Sequence, residues 1–263
     1  MTIEQTAQQP EIARPRIHLM DEIRGFAVLC MVFYHGFYLL SDVFYLPFFR
    51  SLLYFFMPAE PFFAAAFVGI SGVASQLSRS NVKRGLKLAV VAVAVSLVTW
   101  LVVPQETILF GVLHMLSLCM ILFGLLQKPL SHLPFWAGFA GCLILTLLTW
   151  GLNAPYPLTY VGIPGLVQWR LPLELQNTPG LFPFGIRGAS FRSADYFPLF
   201  PWLFIFLAGS FLGRFAAAGR FPRFTYRSRV PFFSWIGRHA LLIYILHQPV
   251  LYAVATVIQW IQG

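Results

Sequence analysis

Long runs of apolar residues with almost no charge are the feature that most constrains how this chain can fold. Each run is about 20 residues long, enough to cross a hydrocarbon core of about 30 Å as a helix. The runs are continuous and lack the period-two alternation of barrel strands, so they indicate helices. We therefore predict an all-α integral membrane protein, a polytopic bundle of about seven transmembrane helices. The predicted spans are residues 24–45, 59–78, 86–103, 108–126, 134–152, 197–216 and 235–260.

The charged residues support this class and argue against a soluble nucleic-acid-binding protein. Only 10% of residues are charged, whereas ordinary soluble domains are about a quarter charged. The net charge of +9 comes from short basic clusters between the apolar runs and not from one soluble face. The expected partner is a lipid bilayer, and no nucleic acid is expected. The three cysteines, Cys30, Cys119 and Cys142, fall inside predicted spans, which indicates packing residues and neither a disulfide framework nor a metal site.

The distribution of lysine and arginine predicts the orientation. With the N-terminus in the cytoplasm, only Arg50, Arg170, Arg187 and Arg192 lie outside. The other basic residues named here then lie inside: Arg14, Arg16, Arg24, Arg79, Lys83, Arg84, Lys87, Lys128, Arg214, Arg220, Arg223, Arg227, Arg229 and Arg238. We therefore expect the N-terminus inside, the C-terminus outside, a cytoplasmic tail over residues 1–20 and a single transmembrane domain over residues 21–263. No cleavable signal peptide is visible, and the first apolar run is long enough to remain as an anchor.

One connection, residues 153–196, is much longer than the others and is predicted to be external. Loops of this length without secondary structure are usually functional or disordered. Its aromatic residues favour packed structure, while its many prolines and glycines argue against continuous secondary structure. We therefore expect a packed roof over the outer side of the bundle.

The first span carries two polar residues at an informative spacing. Arg24 and His35 are eleven positions apart, which is three helical turns plus about 20°, so both face the same way about 16 Å apart along the axis. A cytosolic molecule with phosphates at one end and a reactive group on a long arm fits this track, with Arg24 holding the phosphates. Asp21 can orient Arg24 as an i,i+3 pair. The alternative is that Arg24 only anchors the span at the membrane surface and His35 bonds to a neighbouring helix.

Three more polar residues lie within or at the ends of spans. His247 is about half way through the last span, and two imidazoles near the membrane midplane can share a site. His114, in the outer part of the fourth span, suits a structural role better than a functional one. Glu60 opens the second span and can either cap it or take part in acid–base chemistry and acceptor binding.

Five stretches of the sequence resemble a known family: RIHLMDEIRGFAVLCMVFYH, FVGISGVASQLSRS, FGVLHMLSL, SADYFPLFPWLFIFLAGSFLGR and WIGRHALLIYILHQPV. In this order they resemble the bacterial domain of unknown function DUF1624. That family is grouped with the catalytic domain of heparan-alpha-glucosaminide N-acetyltransferase and, more distantly, with the acyltransferase-3 membrane proteins. The resemblance covers the chain from about residue 15 onward.

The resemblance implies transfer of an acetyl group from cytosolic acetyl-CoA to an amino sugar or glycan across the membrane, in a bacterial cytoplasmic (inner) membrane. His35 carries over as the catalytic histidine, either as general base or as a transient acetyl carrier, and Arg24 as a contact of the CoA phosphates. This chain has only seven clear spans, no large luminal domain and no obvious asparagine near His35. Heparan sulfate itself is therefore not the expected acceptor.

The resulting hypothesis is a membrane acetyltransferase that uses acetyl-CoA as co-substrate and needs no metal. We expect His35 and His247 in catalysis and Arg24, Arg238 and Asp21 at the CoA entrance. The residues expected to bind the acceptor are Glu60, His114, Trp169, Arg187 and Asp195. Two rivals remain: a small-solute transporter in which the buried histidines relay protons, and a non-catalytic membrane scaffold. The assembly state, monomer or homo-oligomer, is left open.

Overall fold

The computed structural model describes residues 15–262. Arg14 and most of the predicted tail, residues 1–20, lie outside the described residues. Among the described residues, seven helical segments are long and apolar enough to cross a membrane: His18–Asp42, Pro47–Ser75, Asn81–Val102, Val112–Ser131, Phe135–Asn153, Leu199–Ala217 and Ala240–Ile261. The predicted all-α polytopic bundle is confirmed, and its orientation stays a prediction.

Within residues 15–262 the elements are helices and one small two-stranded sheet. The helices are α1 (His18–Tyr38), α2 (Pro47–Phe56), α3 (Glu60–Ser75), α4 (Asn81–Val102), α5 (Val112–Ser131), α6 (Phe135–Thr149), α7 (Leu173–Gln176), α8 (Leu199–Ala217), α9 (Pro231–Arg238) and α10 (Ala240–Gln262). The strands are β1 (Tyr160–Ile163) and β2 (Val167–Arg170), which pair antiparallel. A π-helical turn, Leu39–Val43, continues α1, and a 3₁₀ turn, Met57–Ala59, joins α2 to α3.

Three predicted boundaries differ from the structure. The first span begins at His18, inside the predicted tail, because the acidic residues Asp21 and Glu22 are buried with hydrogen-bond partners and do not end the helix. The second span extends back to Pro47 instead of starting near residue 59, since each proline along it occupies a helix start, where a missing N–H costs nothing. The last predicted span is two helices, α9 and α10, which meet at His239.

Helix α8 is the most buried of the seven spans and packs against α3 and α6. Small residues let α3 and α8 approach closely. A Cβ on Gly72 would overlap the carbonyl of Phe206, and a Cβ on Gly209 would overlap the carbonyl of Gly69. Small residues in the stretches GISG (residues 69–72) and LAGSFLG (residues 207–213) therefore account for the close crossing of α3 and α8. Cys119 and Cys142 lie in the same core, as expected of packing residues.

The α3–α8 contact gives a matched pair of substitutions. Gly72→Ala is expected to lower the free energy of unfolding by about 1–3 kcal/mol, because the new methyl forces the two backbones apart. Gly69→Ala places its methyl in open space and should be neutral or slightly stabilising. Chemical unfolding of both variants in detergent measures the difference. Equal stability of the two would show that the crossing tolerates the wider spacing.

A second close crossing joins α1 to α9. A Cβ on Gly25 would overlap the carbonyl of Phe233, and one on Gly237 would overlap the carbonyl of Asp21. The buried carboxylate of Glu22 accepts hydrogen bonds from the backbone N–H groups of Arg229 (2.7 Å) and Val230 (3.0 Å). This acid satisfies orphan donors at the start of α9 and suits the positive end of that helix. Helix α9 is therefore fixed against the N-terminal end of α1.

The 153–196 loop is packed, as expected, but it does contain regular structure. β1 and β2 form a short hairpin, and α7 adds one helical turn. Gln176 is fully buried and donates to the carbonyl of Leu171 at 2.7 Å. These elements are short and separated by turns, so no secondary structure runs continuously through the loop. Gly162 and Gly165 adopt positive φ angles, which let the chain turn back on itself.

Candidate active site

A cavity of about 480 Å³ lies between α1, α3, the first residue of α5 and the 153–196 loop. This volume falls within the range of about 300–1,000 Å³ typical of ligand pockets. The residues of α1 that line the cavity recur every three to four positions, as residues on one face of a helix do. The lining residues are Ala27, Val28, Met31, Tyr34, His35, Met57, Glu60, Phe63, Ala64, Phe67, Val112, Asn153, Arg187, Ala194, Asp195, Tyr196 and Phe197. The cavity thus follows α1 from one turn beyond Arg24 to His35 and then reaches the loop.

The two predicted catalytic histidines meet beside this cavity. The ring centroids of His35 and His247 are 5.2 Å apart. His247 Nδ1 lies 2.6 Å from the carbonyl oxygen of Tyr244, so Nδ1 carries the proton and donates it. In the neutral ring Nε2 then has a free lone pair, and this atom is buried without a hydrogen-bond partner among the described residues. His247 therefore offers an uncommitted base next to His35.

Asp195, at the end of the 153–196 loop, forms hydrogen bonds with α5 and α10 beside the cavity. One of its oxygens accepts hydrogen bonds from the Tyr244 hydroxyl of α10 and from the backbone N–H of Val112, at 3.1 Å, at the start of α5. The side chain is buried, and burial raises the pKa of this carboxyl although both hydrogen bonds oppose the rise. Asp195 thus holds the end of the loop against α5 and α10 while it lines the cavity.

Glu60 and Arg187 bring opposite charges to the same cavity. Glu60 begins α3 and interacts electrostatically with Asp195. Arg187 donates from Nη2 to the backbone carbonyl of Asn153 at 2.9 Å and stacks on the Tyr196 ring at 4.9 Å. Its Nε is buried and has no partner among the described residues. Burial lowers the pKa of Arg187.

Two predicted acceptor residues lie outside the cavity lining. Both ring nitrogens of His114 are engaged: Gly111 N–H donates to Nδ1 at 3.3 Å, and Nε2 faces the Ser96 hydroxyl at 3.3 Å. These contacts fit the structural alternative for His114. Trp169 lies on β2 and is 68% exposed. Substrate contact by these two residues stays a prediction.

The predicted CoA-entrance residues lie at the N-terminal end of α1. Buried Asp21 accepts from Arg16 Nε at 2.7 Å and from Arg24 Nη1 at 3.3 Å, so the predicted Asp21–Arg24 pair is present. Arg24 is also close enough to Arg84 of α4 for repulsion between their charges. Arg238 is exposed at the end of α9. Two arginines, Arg16 and Arg24, bond to one carboxylate, and with Arg84 close to Arg24 this end of the helix carries an excess of positive charge.

Sequence reasoning missed two residues of the site. No asparagine is near His35 in the sequence, yet Asn153, in the 3₁₀ turn that follows α6, lines the same cavity. Tyr244 was not singled out, although it stands one helical turn before His247 and so shares its face. That spacing was a usable signal for Tyr244, whereas nothing in the sequence linked Asn153 to His35.

Three or more His, Cys, Asp or Glu side chains do not gather anywhere in residues 15–262 in a way that could hold a metal ion. The side chains described above supply imidazoles, carboxyls and a guanidinium to the site.

A comparison with protein families identifies the family of this chain. The family model described as "Heparan-alpha-glucosaminide N-acetyltransferase, catalytic" matches residues 16–249, which include α1, the cavity and His247. Neither the comparison with curated proteins nor that with solved structures found a match. Because the match spans most of the chain, this integral membrane protein belongs to the heparan-alpha-glucosaminide N-acetyltransferase catalytic-domain family, a family of membrane acetyltransferases.

Proposed function

We propose that the protein transfers an acetyl group from cytosolic acetyl-CoA to an amine or hydroxyl of a sugar-like acceptor on the external side of a bacterial cytoplasmic membrane. The observation that carries the proposal is the cavity that follows one face of α1 to His35 and opens toward Glu60, Arg187 and Asp195. Family membership supports the acetyl transfer. The lysine and arginine distribution supports transfer from the cytosol to the external side.

The donor enters at the N-terminal end of α1. Phosphates of CoA bind the excess positive charge of Arg16, Arg24 and Arg84, while Asp21 holds Arg24 in place. The extended arm of CoA then lies along the face that carries Ala27, Val28 and Met31 and brings its thioester to His35. This small and apolar face accommodates a flexible chain without competing hydrogen bonds.

Two chemical routes fit the pair of histidines. In the first, His35 removes a proton from the acceptor as its nitrogen or oxygen attacks the thioester carbonyl; the C–S bond breaks and the CoA thiolate takes up the proton. In the second, a nitrogen of His35 attacks the thioester carbonyl, the C–S bond breaks and CoA leaves as the thiol with the proton of the ring. The acceptor then attacks the acetyl group, the bond between His35 and the acetyl group breaks, and the ring takes up the acceptor's proton. In either route the free Nε2 of His247 can accept a proton from the neighbouring ring. Only the second route leaves one acetyl group on the protein after incubation with acetyl-CoA alone, which intact mass spectrometry detects.

Arg24→Ala tests the proposed binding of acetyl-CoA at the N-terminal end of α1. We expect acetyl-CoA to bind about 10- to 100-fold more weakly, because a charge-assisted hydrogen bond to phosphate is worth about 1.5–3 kcal/mol. The matched control is Arg220→Ala, an exposed arginine placed on the same side of the membrane by the predicted orientation. Titration of the purified protein with acetyl-CoA measures both variants. An equal loss of acetyl-CoA affinity in both variants would mean that the overall positive charge on this side, and not Arg24 on the α1 face, attracts acetyl-CoA.

The transporter alternative makes a different prediction for the same preparation. A transporter that relays protons through His35 and His247 would move a solute across proteoliposomes without consuming acetyl-CoA. Folded wild-type protein that neither binds nor hydrolyses acetyl-CoA would overturn the acetyltransferase proposal in favour of transport.

A further inference from the structure

The connection between α8 and α10 carries arginines that have no carboxylate partner. Its four arginines before α9 are all exposed: Arg220, Arg223, Arg227 and Arg229. None of them takes part in an ion pair within residues 15–262. Glu22 contacts this connection, but it is buried, and its Oε1 accepts hydrogen bonds from two backbone N–H groups and two hydroxyls. Four positive charges are therefore exposed without a carboxylate to neutralise them.

Large aromatic side chains are exposed beside these arginines. Phe224 is 49% exposed, Phe232 is 59% exposed and Trp235 is 53% exposed. The Arg229 guanidinium lies over the Phe224 ring, 5.2 Å from its centroid. Phe232 and Trp235 are three positions apart in α9, so they share one side of that helix. Arginines beside exposed phenylalanine and tryptophan are typical of segments that lie in the interface between water and a lipid bilayer.

The basic–aromatic surface, residues 220–235, lies at one face of the bilayer and is held in place. The chain leaves one membrane-spanning helix at Ala217 and enters the next at Ala240, so the segment between them lies near the headgroups. The close crossing of Gly25 and Gly237 fixes α9 against α1, and Ser234 and Gly237 are on its buried side. The exposed aromatic rings must therefore find their apolar contacts outside the protein.

We propose that the basic–aromatic surface docks anionic phospholipids of the adjacent leaflet. The arginines bind the headgroup phosphates, while Phe232 and Trp235 pack against the first part of the acyl chains. A phospholipid supplies both the negative charge and the apolar chain that this surface matches, whereas a soluble phosphate supplies only the charge. None of residues 220–235, all of which the structure describes, lines the cavity, and the lipid contact does not depend on acetyl transfer.

Trp235 allows a direct test in the full chain. The detergent-purified protein is titrated with phosphatidylglycerol or with phosphatidylcholine of the same acyl chains, brominated near the headgroup, with no acetyl-CoA present. Bromine quenches tryptophan fluorescence at short range, and the difference between wild type and Trp235→Phe isolates the signal of Trp235 among the seven tryptophans. We expect half-maximal quenching of Trp235 at an about 10- to 100-fold lower concentration of phosphatidylglycerol than of phosphatidylcholine.

Variants then assign the charge to this surface. The double variant Arg223→Gln with Arg227→Gln should raise the phosphatidylglycerol concentration needed for half-maximal quenching by about 10- to 30-fold and leave phosphatidylcholine quenching unchanged. The matched control is Arg170→Gln with Arg192→Gln, which removes the same charge from two exposed arginines of the 153–196 loop and should behave as wild type. Thermal unfolding in lipid-free detergent shows whether each variant is folded.

Three results would overturn the proposal. The first is equal quenching of wild-type Trp235 by both lipids, which needs no variant to fold. The second is an equal loss of phosphatidylglycerol affinity in the two double variants, because net charge alone would then attract the lipid. The third is displacement of phosphatidylglycerol by millimolar inorganic phosphate, which would make the arginines a site for soluble phosphate. Each of these results leaves the proposed acetyl transfer unaffected, and loss of acetyl transfer leaves lipid docking unaffected.

Discussion

Acetyl transfer by His35→Ala is expected to fall by about 10²- to 10⁴-fold, the usual contribution of a positioned acid–base group. The imidazole stands where the α1 face meets the outer part of the cavity, so both reactants pass it. Removing it should leave binding of acetyl-CoA intact, because the phosphate-binding arginines lie about three helical turns away. Release of free CoA thiol, measured with and without acceptor, reports turnover, and equilibrium titration reports binding.

Two companion variants sharpen this prediction. His132→Ala removes an exposed histidine between α5 and α6 and should behave as wild type. His247→Ala should lower turnover by less than His35→Ala, because His247 contacts the His35 ring without lining the cavity itself. If His35→Ala and His132→Ala turn over equally, His35 is a structural histidine and the chemistry must lie elsewhere. A larger loss of turnover in His247→Ala than in His35→Ala would mean that His247, and not His35, is the main acid–base group.

The parts of the site that were predictable from sequence are those set by one helix. The spacing of Arg24 and His35 follows from 3.6 residues per turn, and the Asp21–Arg24 pair follows from the i,i+3 rule. The apolar runs likewise predicted the seven spans, because the length of an apolar segment depends only on consecutive residues.

The missed parts depend on contacts between distant segments. Asn153 reaches the cavity only because the loop after α6 folds over α1 and α3. No pattern in the sequence singles out Glu22, yet its carboxylate accepts hydrogen bonds from Arg229 and Val230 at the start of α9. Such positions are determined by tertiary packing, which leaves no periodic pattern in a single sequence.

The largest effect on stability is expected for Asp195→Ala. The substitution removes the acceptor of two donors, the Val112 N–H and the Tyr244 hydroxyl. A buried donor left without a partner costs about 1–3 kcal/mol, so the free energy of unfolding should fall by about 2–5 kcal/mol. Asp195→Asn keeps one acceptor oxygen and should cost less. Chemical unfolding in detergent, followed by tryptophan fluorescence, measures both variants.

Tyr244→Phe separates the structural role of Asp195 from its role in the cavity. This variant removes only the hydroxyl, so the Tyr244 carbonyl still holds His247 Nδ1. Combined with Asp195→Ala it should cost less than the sum of the single changes, because both disrupt the same hydrogen bond. Additive losses would mean that the bond does not stabilise the protein. If Tyr244→Phe also lowers turnover while acetyl-CoA binding is unchanged, the hydrogen bond between Asp195 and Tyr244 positions His247. Asp195 then acts on the chemistry through that histidine as well as through the acceptor.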